Sequence, residues 1–175
     1  MGTVLTIGHS NRELDVFIDL LQAFDVEFVG DVRTVPKSRK WPHFRAEELA
    51  QSLPAHGIEY RHLPGLGGWR RASVSSPNLG WQNESFRGYA DYALTPEFAD
   101  ALAELKRIAS EKRTAIMCSE ALWWRCHRRV IADRLVTEGW EVLHIESADR
   151  AEPHRLTEFA VPQPDGRVLY PEPRS

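Results

Sequence analysis

The sequence predicts one α/β domain built on a mostly parallel, five-stranded sheet flanked by helices. Two observations support this fold class. Short β-branched runs alternate along the chain with stretches whose apolar residues recur at helical spacing. The length of 175 residues suits a single domain with its own core. Strands joined in this way by helices imply right-handed crossovers and a doubly wound sheet.

The first half of the chain begins with a strand at 3–7 that Gly8 ends. Ser10 or Asn11 is the expected N-cap of the next helix, whose apolar positions run from Leu14 to Leu21. The elements that follow are a strand at 26–32, a Pro- and basic-rich loop at 34–42, a helix at about 46–55 and a strand at 58–63.

The second half opens with a long loop over 64–82, which mixes Gly and Pro with Trp and Arg and has no regular period. Loops of this length in compact domains are commonly functional or disordered. The elements that follow are helical stretches at 86–92 and after Thr95, a buried strand at 114–117, a helix at about 130–135 and a fifth strand at 140–145. Residues 1–147 are predicted to form the domain, and 148–175 a C-terminal extension with a hairpin or an arm.

The predicted strand order is 3-2-1-4-5. In this order the winding reverses between the first and fourth strands, and ligands of such sheets bind outside the carboxyl ends at that point. His9 follows the first strand, Cys118 follows the fourth, and Asp31 with Arg33 ends the second. We therefore expect these side chains to meet at one edge of the sheet.

Cys118 is the predicted nucleophile. It ends an apolar strand, and the next helix is expected to begin between Ser119 and Arg125, where free amides would stabilise a thiolate or a bound anion. Cys-dependent phosphatases and rhodanese-type sulfur transferases share this arrangement, but Trp123 and Trp124 are too bulky for a phosphate cradle. The alternative is that Cys118 is a buried structural thiol.

Composition limits the function classes. The net charge of −3 and the pI near 6.2 disfavour a generic nucleic-acid or membrane binder. The N-terminus has no basic segment followed by a long apolar run, so a cytoplasmic protein without a signal peptide is expected. Two cysteines are too few for a secreted disulfide framework.

Two other functions stay open. A metal-binding or redox-sensing protein would use Cys118, Cys126 and His127, with zinc or iron as the ion, although the spacing matches no standard motif. A nucleic-acid-associated binding module would use the loops that combine Arg with Trp, because aromatic rings stack on bases. Loop tryptophans such as Trp69 also suit a protein interface. The oligomeric state is left open.

Six short motifs carry a resemblance to a known family: TIGHSN at 6–11, DVRTVPKSR at 31–39, LPGLGG at 63–68, YADY at 89–92, MCSEA at 117–121 and CHRRVIAD at 126–133. Together they resemble the family catalogued as domain of unknown function 488, over residues 3 to about 147. The resemblance implies a cytosolic bacterial α/β domain and no particular activity. The positions that match its motif residues are His9, Asp31, Arg33, Cys118, Glu120, Cys126, His127 and Arg128.

The leading hypothesis is a thiol-dependent transferase or hydrolase that acts on a small anionic or nucleotide-like substrate. In this hypothesis Cys118 attacks, His9 moves a proton, and Asp31 orients His9. Glu120 is a second acid or base. The expected substrate-binding residues are Arg33, Arg39, Ser119, Arg125, Arg128 and Asn11. No cofactor is required by the sequence.

Overall fold

A computed structural model describes residues 2–173. Its centre is a six-stranded sheet in the order β3-β2-β4-β1-β5-β6, in which the first five strands of the chain are parallel and β6 is antiparallel to β5. The strands of this sheet are β1 Thr3–Gly8, β2 Phe28–Asp31, β3 Glu59–His62, β4 Thr114–Cys118, β5 Glu141–Ser147 and β6 Arg150–Pro153. The predicted α/β class with a mainly parallel sheet is confirmed.

Helices cover both faces of the sheet, and each face has its own buried cluster. The helices are α1 Leu14–Ala23, α2 Ala46–Ser52, α3 Glu84–Tyr92, α4 Pro96–Glu111 and α5 Arg128–Thr137. Apolar residues of α1 and α2, such as Phe17 and Leu49, pack with Leu5 of β1. Residues of α3 to α5, such as Leu105, pack with Ile116 of β4 on the other face. This layering follows from strands that progress first in one direction across the sheet and then in the other.

The predicted strand order is wrong in one respect, because β4 lies between β1 and β2. Gly8 of β1 is paired with Cys118, and Asp31 of β2 is paired with Met117. All five residues of β4 are buried, as expected for a central strand. Because β1 is nearly as buried, the apolar content of the two strands did not indicate which of them lies nearer the centre of the sheet. As a result Cys118 ends a strand that has parallel neighbours on both sides.

Two helices begin later than predicted. Helix α1 starts at Leu14 after a turn in which the amide of Arg12 donates to the carbonyl of His9, so neither Ser10 nor Asn11 is its N-cap. Helix α5 starts at Arg128, after a short 3₁₀ turn at Trp123–Arg125, and not between 119 and 125. This second shift moves the helix N-terminus from Cys118 towards Cys126.

The segment after Ser147 packs on the rest of the molecule. It supplies the unpredicted edge strand β6 and a two-stranded ribbon, β7 Val161–Pro162 and β8 Val168–Leu169, which turns at Gly166. Its Tyr170 is buried and donates a hydrogen bond to Asp133 of α5. The prediction of a C-terminal hairpin is therefore right in part. Within residues 2–173, no helix has the length and apolar character needed to cross a membrane.

Candidate active site at the carboxyl edge of the sheet

The loops after β1 and β4 are joined directly at the edge of the sheet. The amide of His9 donates to the carbonyl of Cys118 at 2.8 Å, and the amide of Ser10 donates to that of Ser119 at 3.0 Å. Gly8 permits this approach, since a Cβ there would lie 1.8 Å from the carbonyl oxygen of Glu120. The β4 loop therefore crosses the end of β1 with no room for a side chain.

Cys118 and Cys126 form a buried pair at this edge. Their Sγ atoms lie 2.7 Å apart, and both residues are free cysteines with less than a tenth of their surface exposed. The Sγ of Cys118 also lies 3.5 Å from the carbonyl oxygen of Glu120. Either thiol can donate to the other, so their remaining neighbours decide which sulfur carries a negative charge more readily.

Those neighbours favour Cys126. The amide of Arg128, the first residue of α5, donates to the Sγ of Cys126 at 3.4 Å. The Nδ1 of His127 lies 3.5 Å from the same sulfur, and the Nε2 of His127 lies 2.7 Å from the carbonyl oxygen of Val32. Because a carbonyl only accepts, Nε2 carries the hydrogen and the lone pair of Nδ1 faces the thiol. Cys126 therefore has both a base and a helix N-terminus beside it.

The pKa values of the two thiols are separated by these surroundings. Burial alone would raise the pKa of Cys126, but the contact with Cys118 and the nearby His127 and Arg128 lower it well below its usual value. Burial, together with the contact with Cys126, raises the pKa of Cys118 well above its usual value. The pair shares one readily lost proton, and Cys126 is the better site for the charge.

Two elements hold the imidazole of His127. The ring packs edge-on against the buried Tyr89 of α3, with centroids 5.0 Å apart. On another side it lies against Gly68, where an added Cβ would be 2.6 Å from Nδ1. The long loop after β3 thus closes over the His127 ring. The sequence predicts His127 as an alternative metal ligand and as a motif position of the resembled family, but not as a base, although a Cys-His dipeptide just before a helix is a signal for a thiol with a base.

Asp31, Arg33 and His9 form a second polar cluster on the opposite face of the sheet. Arg33 binds the carboxylate of Asp31 through Nε and Nη2, the latter at 2.7 Å, and Tyr60 donates to the same carboxylate at 2.5 Å. Arg33 also donates to the carbonyl of Phe44. Its guanidinium lies between Asp31 and His9, so Asp31 reaches His9 only through Arg33, and the expected direct orientation of His9 is wrong.

His9 faces away from the cysteine pair. Its ring stacks on Phe44 at 4.3 Å, its Nδ1 donates to the carbonyl of Ser10 at 2.8 Å, and its Nε2 lies 3.4 Å from Nη1 of Arg33. Burial, with a smaller contribution from Arg33, lowers the pKa of His9 from 6.5 to about 4. The ring is therefore neutral at pH 7.

A cavity of about 470 Å³ opens onto the cysteine pair. Its lining contains both sulfur residues and His127, and also Ser119, Glu120, Arg125, Lys37, Arg33 and Trp69. Within residues 2–173, neither Lys37 nor Arg125 forms an ion pair, and both are exposed. Trp69 is 77% exposed at the rim. The size suits a small ligand, and the free cations suit an anionic one.

The remaining predicted site residues are placed elsewhere. Arg39 and Asn11 are exposed and do not line this cavity. Arg128 is buried behind the pair and donates to the hydroxyl of Thr6 and to the carbonyl of Glu120. Trp123 stacks on His144 and, with Trp124, lines a separate cavity of about 200 Å³.

The arrangement of the donor groups bears on the metal alternative. In the described part of the chain, no three His, Cys, Asp or Glu side chains are grouped so that they could hold an ion. Cys118, Cys126 and His127 lie close together, but His127 directs Nε2 to a backbone carbonyl and Nδ1 to Cys126. A site for zinc or iron would require these side chains to rearrange.

The fold and the site together define an α/β protein with a dithiol at the carboxyl edge of a central parallel strand. The chain belongs to the family described as domain of unknown function DUF488, whose model matches residues 13–135. No curated protein and no solved structure matches the chain. The matched residues include the cysteine pair, His127 and the first eight residues of α5.

Proposed function

We propose that this protein is a thiol-dependent enzyme that acts on a small anionic or nucleotide-like substrate, with Cys126 as the attacking sulfur. The observation that carries the proposal is the position of Cys126 between the thiol of Cys118, the Nδ1 of His127 and the first amide of α5. Such neighbours stabilise the thiolate form of a cysteine at neutral pH. Cys118 is the nucleophile that the sequence predicts. In this proposal it instead stabilises the negative charge on the neighbouring Cys126.

The chemistry follows from the geometry. The thiol proton of Cys126 passes to the Nδ1 of His127, and the sulfur then forms a bond to the electrophilic atom of the substrate. The bond to the leaving group breaks, and that group takes the proton from His127. Water next gives one proton to His127 and attacks the atom bound to sulfur, the S–substrate bond breaks, and Cys126 takes that proton from His127. The net reaction is hydrolysis, and another nucleophile in place of water gives a transfer.

The cavity lining supports the substrate class. Arg125 and Lys37 are cations without carboxylate partners among residues 2–173, and Arg33 lies at the same wall with its guanidinium already occupied by Asp31. Trp69 offers an exposed ring on which a planar group could stack. Glu120 lies beside these groups and is available as a second acid or base.

Protection against alkylation tests the proposal before a substrate is known. The rate of Cys126 modification by iodoacetamide is measured with inorganic phosphate, with a nucleoside monophosphate, and with neither. If the nucleotide slows the modification and phosphate does not, a nucleotide-like substrate is supported. If each of the two anions slows it, a general anion site is supported. If neither anion slows the reaction, the proposed substrate class is wrong.

Two charge variants give the matched control. Arg125→Gln removes a cation from the cavity and should abolish the protection. Lys112→Gln removes a cation that pairs with Glu59 at the amino end of the sheet, and it should leave the protection unchanged. Equal effects of the two substitutions would indicate only a general electrostatic attraction.

The contact between the two sulfurs also favours a second function, reversible dithiol oxidation. A low-molecular-weight disulfide would first be attacked by Cys126, releasing one thiol, and Cys118 would then displace the second thiol and close an internal disulfide. Mass spectrometry after incubation with oxidised glutathione distinguishes the two functions. Rapid formation of the internal disulfide, with no turnover of any anionic substrate, would favour redox chemistry.

A further inference from the structure

A continuous chain of buried hydrogen bonds runs from α5 through the sheet and back to α5. Asp133 and His154 are joined at 2.7 Å, His154 and His144 at 2.9 Å, and His144 and Thr6 at 2.6 Å. The hydroxyl of Thr6 then accepts from Nη1 of Arg128 at 3.0 Å. All five residues are at least nine-tenths buried. The chain ends at the arginine that lies behind the two cysteines.

When both imidazoles are neutral, the donors and acceptors of these groups allow one consistent direction for every bond. The carboxylate of Asp133 accepts, so His154 donates from Nε2 and keeps a lone pair on Nδ1. That lone pair accepts the Nε2 hydrogen of His144, whose own Nδ1 then accepts the hydroxyl hydrogen of Thr6. The oxygen of Thr6 is left to accept from Arg128. Each of the two imidazoles thus forms hydrogen bonds through both of its nitrogens and has a single tautomer. Burial, with a smaller effect of His154, lowers the pKa of His144 to about 2.

Arg128 is a buried cation, and the groups that accept hydrogen bonds from its guanidinium are neutral. Its guanidinium donates to the hydroxyl of Thr6 and to the carbonyl of Glu120, and its Nε has no partner within residues 2–173. A buried charge without a counter-charge is strongly unfavourable. The Nη2 of Arg128 and the Sγ of Cys118 contact the same carbonyl oxygen of Glu120, at 2.6 and 3.5 Å, so the cysteine pair lies beside the guanidinium. Burial lowers the pKa of Arg128, but the two cysteines more than reverse this effect.

We propose that the thiolate shared by Cys126 and Cys118 is the counter-ion of Arg128, and that Thr6, His144, His154 and Asp133 are positioning residues that hold Arg128 in place. The inference rests on the proposed function, because it assumes that the cysteine pair is the reactive group. The same hydrogen bond from Arg128 to Glu120 fixes the loop that crosses Gly8 and carries Cys118. The chain of hydrogen bonds therefore controls both the positive charge beside the two thiols and the position of the thiols.

The test compares the pH dependence of Cys126 alkylation in three variants with that of the wild type. Thr6→Val keeps the shape of the side chain but removes the hydroxyl, and it should raise the pH of half-maximal reactivity by about one unit, which is about a tenfold loss of thiolate below the pKa. Thr6→Ser retains the hydroxyl and should behave as the wild type. Tyr170→Phe removes another hydrogen bond to Asp133 and should lower stability without moving the pH profile.

Two outcomes would overturn the positioning role. One is an unchanged profile in Thr6→Val, and the other is an equal shift in Tyr170→Phe. If Thr6→Val does not fold, nitrogen chemical shifts of the wild-type imidazoles decide instead. Hydrogen on Nε2 and none on Nδ1 in both His144 and His154 supports the chain, and hydrogen on either Nδ1 contradicts it. A wild-type protein without an acidic thiol would contradict the proposed function itself.

Discussion

The Sγ of Cys126 lies 2.7 Å from the Sγ of Cys118, although seven residues and a 3₁₀ turn separate them in the chain. The contact exists because Cys118 ends the central strand β4, while Cys126 precedes the helix that returns from that edge. Each sulfur therefore changes the acidity of the other. Several consequences can be measured without a known substrate.

The first prediction concerns the contact itself. Cys118→Ala removes the S–H group beside Cys126 and should raise the pKa of the remaining thiol, since that contact helps to lower it. Cys118→Ser retains an O–H donor and should preserve much of the acidity. The rate of alkylation of Cys126 against pH, read by mass spectrometry, gives both values. Identical profiles for the two variants would show that the contact has no electrostatic effect.

The second prediction concerns stability at low pH. The folded-state pKa of His9 is about 4, against 6.5 in the unfolded chain, so only the unfolded chain binds this proton between those values. Stability should therefore fall as the pH decreases from 6.5 to 4, by up to about 3 kcal/mol from this residue. His144 adds a loss of the same sign over this range.

Urea unfolding at several pH values measures the effect. His9→Asn removes the titrating group, and the variant should lose less stability than the wild type between pH 7 and pH 4. An equal loss in both proteins would mean that protonation of His9 is not resisted by the fold.

The third prediction concerns the approach of the β4 loop to β1. Gly8→Ala places a Cβ 1.8 Å from a backbone oxygen of Glu120 and should cost more than about 3 kcal/mol of stability, because backbone must move. It should also lower the reactivity of both thiols. Gly2→Ala is the control, since its Cβ meets only the Trp140 ring at 3.5 Å, an ordinary contact. Thermal unfolding of the two variants compares them, and similar midpoints would refute the close approach.

The fourth prediction concerns the cluster on the other face of the sheet. Asp31→Asn leaves the buried guanidinium of Arg33 without its counter-charge and should destabilise the fold by about 3 kcal/mol or more. Tyr60→Phe removes only one hydrogen bond to the same carboxylate and should cost about 1 kcal/mol. Chemical denaturation measures both. If Asp31→Asn were as mild as Tyr60→Phe, the ion pair would contribute little to stability.

Sequence periodicity predicted the fold class well because strands and helices leave local patterns. The position of β4 between β1 and β2 was not predictable in this way, since both β1 and β4 are short, apolar and buried. Strand order depends on which crossover packs best, which is a non-local property. The edge strand β6 was missed because Arg150–Pro153 is short and has little apolar character.

The sequence placed Cys118 at the carboxyl end of a buried strand, as it is in the structure, but did not predict the groups that surround the two sulfurs. The turn at Trp123–Arg125 delays α5 by a few residues, and this small shift gives the helix amide to Cys126 instead of Cys118. The orientation of His127 depends on the Val32 carbonyl, which is distant in sequence. Local patterns contain neither contact, so the division of roles between the two cysteines required the three-dimensional structure.

The most direct test of the account is the alkylation rate of each cysteine in the wild-type protein against pH. Cys126 should react first, with an apparent pKa well below the ordinary value of about 8.5 for a free thiol, and Cys118 should react only at higher pH or after unfolding. Faster reaction of Cys118, or an ordinary pKa for both thiols, would contradict the assignment of Cys126 as the activated sulfur.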